Sequence, residues 1–153
     1  MRIRMRFRTS PPPAVRLDPV AADLVRFSSL LQIVMRAVAW QDQADAVILE
    51  CAQPGETPRE VACRGREVAG EYGRLSGWAA DLGGHDVLTR RAGELIRYHL
   101  EMLDVTLKLA FPLYRSEKLE RRRLALTGLG RPAQDLRNVE AALRARVAEL
   151  EGQ

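Results

Sequence analysis

The stretch LLQIVMRAVAW, Leu30 to Trp40, is broken by polar side chains only at Gln32 and Arg36, and its reading decides the fold. Followed outward in both directions, it belongs to one helix from about Pro19 to Gln53, with Asp18 as N-cap and Pro19 in the first helical position. Leu24, Phe27, Leu31, Val34 and Val38 fall on one apolar stripe of that helix. Leu30, Ile33, Ala37, Trp40, Ala44, Val47 and Cys51 fall on a second, which keeps three–four spacing throughout. Ser29, Arg36, Gln43 and Glu50, seven apart, mark the wetter line. A helix with two apolar stripes is buried on more than one side, so it forms the centre of a helical core.

The rest of the chain supplies helices to surround it. TPRE (57–60) reads as a capping box that opens a second helix reaching about Leu82. Its seam is Val61, Gly65, Val68, Tyr72, Leu75, Ala79 and Leu82. GGHD (83–86) stops that helix and offers Asp86 as the next N-cap. The third helix carries Ile96, Leu100, Leu103, Leu107, Ala110 and Tyr114 on one stripe, with Leu88, Ala92, Leu95, Met102 and Leu109 on another. Its outer line, Arg90, Glu94, Arg97, Glu101, Asp104 and Lys108, pairs opposite charges four apart. Pro112 removes a backbone donor and is expected to kink or end this helix. TGLGRP breaks the chain again. A last helix from Pro132 to about Glu151 aligns Leu136, Val139, Leu143, Val147 and Leu150. The expected architecture is all-α: an up-down four-helix bundle over residues 18–153, its third helix kinked at Pro112.

Composition agrees with a single folded domain. The chain has 153 residues, of which 46% are hydrophobic and 29% charged, while aromatics make up only 5%. Leu, Val, Ala and Met must therefore carry most of the packing. The net charge of +4 is unevenly placed. Residues 1–16 hold five arginines and no acid, and 24 less 5 leaves 19 basic residues against 20 acidic ones elsewhere. The body is close to neutral and the basicity lies in an arm.

That arm begins MRIRMRFR. Met1, Ile3, Met5 and Phe7 alternate with Arg2, Arg4, Arg6 and Arg8, the period of a half-buried β-strand in a chain that otherwise reads as helix. SPPPAVRLDP (10–19) follows as a stiff polyproline-like spacer. Residues 1–17 thus form a basic arm with a Pro-rich spacer, and its strand must find a partner in another chain, bind something with its arginines or stay disordered. No apolar signal segment follows the basic start, and no run has the unbroken apolar length of a membrane span. The expectation is a cytoplasmic protein with reduced, mostly buried thiols at Cys51 and Cys63.

Candidate chemistry is sparse. His85 sits at a helix start, and His99 lies on the Leu95–Met102 stripe, where a hydrogen-bonded boundary histidine is expected. There is no Glu-x-x-His motif for a di-iron bundle, and two cysteines eleven apart make no zinc site, so no metal and no cofactor is expected. GLGRP lacks the strand and lysine of a phosphate loop. Glu94, Tyr98, His99 and Glu101 are the residues a small-molecule enzyme would gather into a pocket, although neighbours on a helix point in different directions. Gly70, Gly73 and Gly77 fall on neighbouring turns of the second helix, at about 1 kcal/mol each relative to alanine; together with Gly65 they need a compensation, and close helix packing is expected ahead of a ligand or nucleic-acid backbone lying on bare helix. YRSEKLERRR (114–123) concentrates Arg115, Lys118, Arg121, Arg122 and Arg123 as candidate phosphate contacts.

The function these features suggest is a non-catalytic interaction or assembly subunit. Arg2, Ile3, Arg4, Met5, Arg6, Phe7 and Arg8 would bind a partner chain by strand addition. The extra stripes of the first and third helices suggest a homo-oligomer or a protein partner. The alternative is a small subunit of a nucleoprotein complex, contacting nucleic-acid backbone through the arm and residues 115–123. A small-molecule enzyme in the bundle is the second alternative.

Overall fold

The computed structural model describes Arg16 and residues 18–153. The strand expected over residues 1–8, with its partner-binding side chains, lies outside the described residues. Six helical segments follow: α1 (Pro19–Ala39), α2 (Gln41–Cys51), α3 (Arg59–Leu82), α4 (Val87–Ala110), α5 (Glu117–Leu124) and α6 (Arg131–Glu151). No strand occurs among the described residues. None of the described helices is long and apolar enough to cross a membrane.

α1 and α2 are nearly one helix. Only Trp40 separates them, its dihedrals stay right-handed, and its N–H still donates to the Arg36 carbonyl at 3.2 Å. Four segments pack in a closed cycle, α1 on α3, α3 on α4, α4 on α6 and α6 back on α1. α2 lies on α3 and α4, and α5 lies on α4. Leu30, Val34, Tyr72, Ile96, Leu103, Leu136 and Leu143 are fully buried at the centre. The Tyr72 hydroxyl would be costly there without a partner, and it donates to the Ala37 carbonyl at 2.7 Å.

Both apolar stripes of the first helix are covered by the chain itself. Phe27, Leu31 and Val34 are buried on one, and Leu30, Ile33, Ala37, Ala44, Val47 and Cys51 on the other. Most of the third helix's stripes are buried or packed against the core as well. The stripes themselves are thus largely covered within the chain, while Val25, Leu49, Val87, Tyr98 and Val105 of these helices stay exposed.

Pro112 ends the third helix instead of kinking it. α4 stops at Ala110, and Phe111 leaves helical dihedrals at φ −126°, ψ 59°. A residue before proline is driven out of the α region by the pyrrolidine ring, so the break falls before the proline. Tyr114 consequently has no place on the α4 stripe and is 85% exposed. The capping box at TPRE does not form either. Pro58 is the N-cap residue of α3, and the buried Thr57 hydroxyl has no hydrogen-bond partner. Along the outer line of α4 the charges are exposed but unpaired four apart; Arg91 instead reaches Asp135 of α6 at 3.1 Å.

Asp86 does cap α4, accepting from the Thr89 N–H at 3.0 Å. Arg26 of α1 donates to the same carboxylate at 2.8 Å and to the Thr89 hydroxyl at 2.9 Å, while lying over the Phe27 ring. Partial burial works against ionisation of Asp86, yet the Thr89 and Arg26 hydrogen bonds hold its carboxyl down at about 2. Gly84 makes room for this joint. Its φ is +104°, and a Cβ there would run into the Arg26 guanidinium.

Candidate functional site

The basic cluster of residues 115–123 straddles the start of α5. Ser116 caps that helix, its hydroxyl accepting from the Leu119 N–H at 3.2 Å. Leu119 and Leu126 are partly buried, and Arg123 lies between them on the same heptad line. Arg123 is therefore turned inward and is only 3% exposed. Its Nη1 donates to the Cys51 and Gln53 carbonyls at 2.6 and 2.7 Å, and its Nη2 donates to the Gly55 carbonyl at 3.0 Å. Glu120 holds the guanidinium from the other side. Arg123 is thus withdrawn from the candidate phosphate contacts, because all of its fork is committed to the end of α2 and the following loop.

The remaining cations stay outside. Lys118, Arg121 and Arg122 are exposed and, at i, i+3 and i+4, share one face of α5. Arg115 meets Glu56 at 3.5 Å, but both side chains are 83% exposed, so the pair is weak. Immediately before them, Leu113 and Tyr114 project into solvent. A cleft of about 530 Å³ runs beneath this segment, bounded by loop 55–57, the end of α4 and α5. Leu109, Ala110 and Leu119 supply apolar lining, and Thr57 its buried hydroxyl. Arg115, Glu56 and Glu117 line it with charges of both signs, so it presents no single-sign field.

His99 is fully buried, beyond the boundary position expected of it. Its Nδ1 lies 2.6 Å from the Leu95 carbonyl, which can only accept, so the proton sits on Nδ1. Nε2 then accepts from the Gln41 amide at 3.1 Å. That amide cannot turn over, because its N–H also donates to the Ala133 carbonyl and its oxygen accepts from Arg137 at 2.8 Å. Burial lowers the His99 pKa from its ordinary value, a shift the Leu95 hydrogen bond opposes. The imidazole is consequently a neutral structural joint between α2, α4 and α6. Glu94 and Glu101 are exposed and stand apart from it; Glu94 lines a shallow groove between α3 and α4 that includes neither His99 nor Glu101.

The close packing expected of the glycines is overturned at Gly70, Gly73 and Gly77 and holds at Gly65. A Cβ added at Gly70, Gly73 or Gly77 would meet nothing within 4 Å, so no helix approaches them closely. The close approach is at Gly65, where a Cβ would come 2.6 Å from Leu107 Cδ2 and 3.2 Å from Val47 Cγ1. The cysteines divide as well. Cys51 is buried, with burial pushing its thiol up to about 11, whereas Cys63 is exposed; both are free.

Four further residues hold the helices together: Arg26, Gln41, Asp45 and Arg137. Asp45 accepts from the Leu129 N–H at 2.7 Å and pins the GLG turn onto α2. Asp45 and Gln41 are polar residues within or beside the apolar line of α2, which was the available signal. Arg26 and Arg137 read as ordinary surface cations and carry no such mark. No family model, curated protein or solved structure matches the chain.

Proposed function

We propose that the chain is a non-catalytic interaction or assembly subunit of the cytoplasm, an up-down four-helix bundle that donates its N-terminal arm as a β-strand to a partner chain. One observation carries this reading: a strand-period arm precedes a body with no strand among its described residues. Such an arm has no sheet edge in that body and must pair elsewhere to use its backbone donors and acceptors. Ile3, Met5 and Phe7 would face the partner, and Arg2, Arg4, Arg6 and Arg8 would face water or acidic side chains. The commitment of His99, Gln41, Tyr72 and Arg123 to internal hydrogen bonds supports a structural use of the core's polar groups.

The exposed face of Lys118, Arg121 and Arg122 favours a second reading, contact with nucleic-acid backbone. Salt separates the two. Phosphate contacts release counterions, so log affinity falls against log salt by about 0.7–0.9 per contact, whereas backbone pairing tolerates salt. Capture of a partner from cytosol, with and without nuclease, compares two full-length variants. Ile3/Met5/Phe7→Ser abolishes association under the strand reading, and Arg2/Arg4/Arg6/Arg8→Gln weakens it modestly. Loss in the glutamine variant alone, with a nuclease-sensitive partner, replaces this reading by the second.

A further inference from the structure

We propose that residues 113–122, the loop after α4 and the outer face of α5, form a docking surface for an anionic lipid bilayer. This proposal uses none of the arm's residues and stands whether or not the arm pairs with another chain.

Leu113 and Tyr114 are 96% and 85% exposed, the most exposed large apolar side chains among the described residues. They are held out because α4 ends before Pro112 and α5 begins only after Ser116. Beside them in sequence stand four exposed cations, Arg115, Lys118, Arg121 and Arg122. Of the two acids in α5, Glu120 is taken up by Arg123, which leaves Glu117 as the only acid in 113–122 without a cation held to it. The Arg123 fork fixes α5 to the loop after α2, so the cationic face is presented by an anchored helix.

This combination distinguishes the occupant. Phosphates of a nucleic acid would satisfy the cations but leave Leu113 in water. A bilayer interface accepts both at once, with cations among the headgroups, the tyrosine ring at their level and the leucine against the acyl boundary. It also needs no concave recognition site, which suits two side chains that protrude. The mixed charge of the neighbouring cleft argues against a small anion as the ligand instead.

The test is sedimentation of the full chain with vesicles of phosphatidylcholine alone or mixed with phosphatidylserine. The expected result is binding to the mixed vesicles and not to the neutral ones. Lys118/Arg121/Arg122→Gln is expected to lower that affinity by about a hundredfold, from a factor of about five per charge. Leu113/Tyr114→Ser is expected to lower it by about tenfold or more, since apolar burial is lost. Arg2/Arg4/Arg6/Arg8→Gln should change it no more than a few-fold. Helical circular dichroism is expected to be unchanged in all variants, because every substituted side chain in 113–122 is exposed. Absence of vesicle binding at low salt overturns the proposal. So does wild-type affinity in the serine variant, which would reduce the surface to phosphate electrostatics. Loss of binding in the arm variant would move the lipid contact to residues 1–8 and overturn it too, without bearing on strand pairing.

Discussion

Replacing Arg123 with alanine separates the two roles that the run Arg121-Arg122-Arg123 could play. The wild-type guanidinium makes three hydrogen bonds to the carbonyls of Cys51, Gln53 and Gly55. Charged hydrogen bonds contribute roughly 1.5–3 kcal/mol each, so the gross loss is about 5–9 kcal/mol. Part of this returns. The Gln53 and Gly55 carbonyls sit at a half-exposed loop and regain water, and the alanine no longer fixes a long side chain, worth about 2 kcal/mol of entropy. The Cys51 carbonyl is buried and regains little. The net expectation is a loss of about 3 kcal/mol.

Urea unfolding followed by circular dichroism measures that loss directly. In a domain of this size it corresponds to a fall in Tm of roughly 6–12 °C. Arg123→Lys should recover only part of it, because one ammonium cannot span carbonyls that the two guanidinium nitrogens reach together. Arg121→Ala and Arg122→Ala, on exposed positions, should change stability by no more than about 0.5 kcal/mol. An Arg123→Ala protein as stable as wild type would refute the assignment and return Arg123 to the surface cations.

The other perturbations address the core and the caps. Below pH 6.5 the unfolded chain takes a proton on His99 that the folded site resists, so stability should fall with falling pH by up to about 1.4 kcal/mol per unit, and His99→Gln should remove that component. Gly73→Ala, with open space at its Cβ, should stabilise by up to about 1 kcal/mol through helix propensity, and Gly73→Leu should not produce the overpacking loss expected from the sequence. Gly65→Val should do the reverse and destabilise by about 1–3 kcal/mol against Leu107 and Val47, both read from urea midpoints. Asp86→Ala should cost about 1–2 kcal/mol, with Asp86→Asn intermediate because it keeps the cap and loses the charge facing Arg26.

Most of the helical fold was legible because apolar spacing and stop signals are local properties. The turn at Gly83–Asp86, the cap at Asp86 and the start of α6 fall within a residue or two of where the sequence puts them. The joints between helices were less legible. Arg26 with Asp86 is a contact sixty residues apart, and Gln41 with Arg137 one of ninety-six. Nothing within either segment announces its partner, since the match is made only when packing brings the helices together. The break at Trp40 and the stop at Ala110 fall between these cases. Each is a local event, but in the second the proline acted one residue earlier than a kink would require.

The glycines of α3 and the arginines of α5 depart from expectation for one physical reason: position on the stripe, not residue type, decides what each side chain meets. Gly65 sits on the α3 seam between Val61 and Val68, and there a missing side chain admits Leu107 from the facing helix. Gly70, Gly73 and Gly77 lie off that seam, so their number says nothing about packing. Arg123 repeats the lesson in charge. Among three successive arginines it alone falls four after Leu119 and three before Leu126, on the line that turns inward. A cation on an apolar line must find acceptors inside the protein, and the unsatisfied carbonyls at the end of α2 are such acceptors. The same register leaves Lys118, Arg121 and Arg122 together on the outside. The roll of a single eight-residue helix therefore decides which arginine holds the fold and which cations remain for a partner.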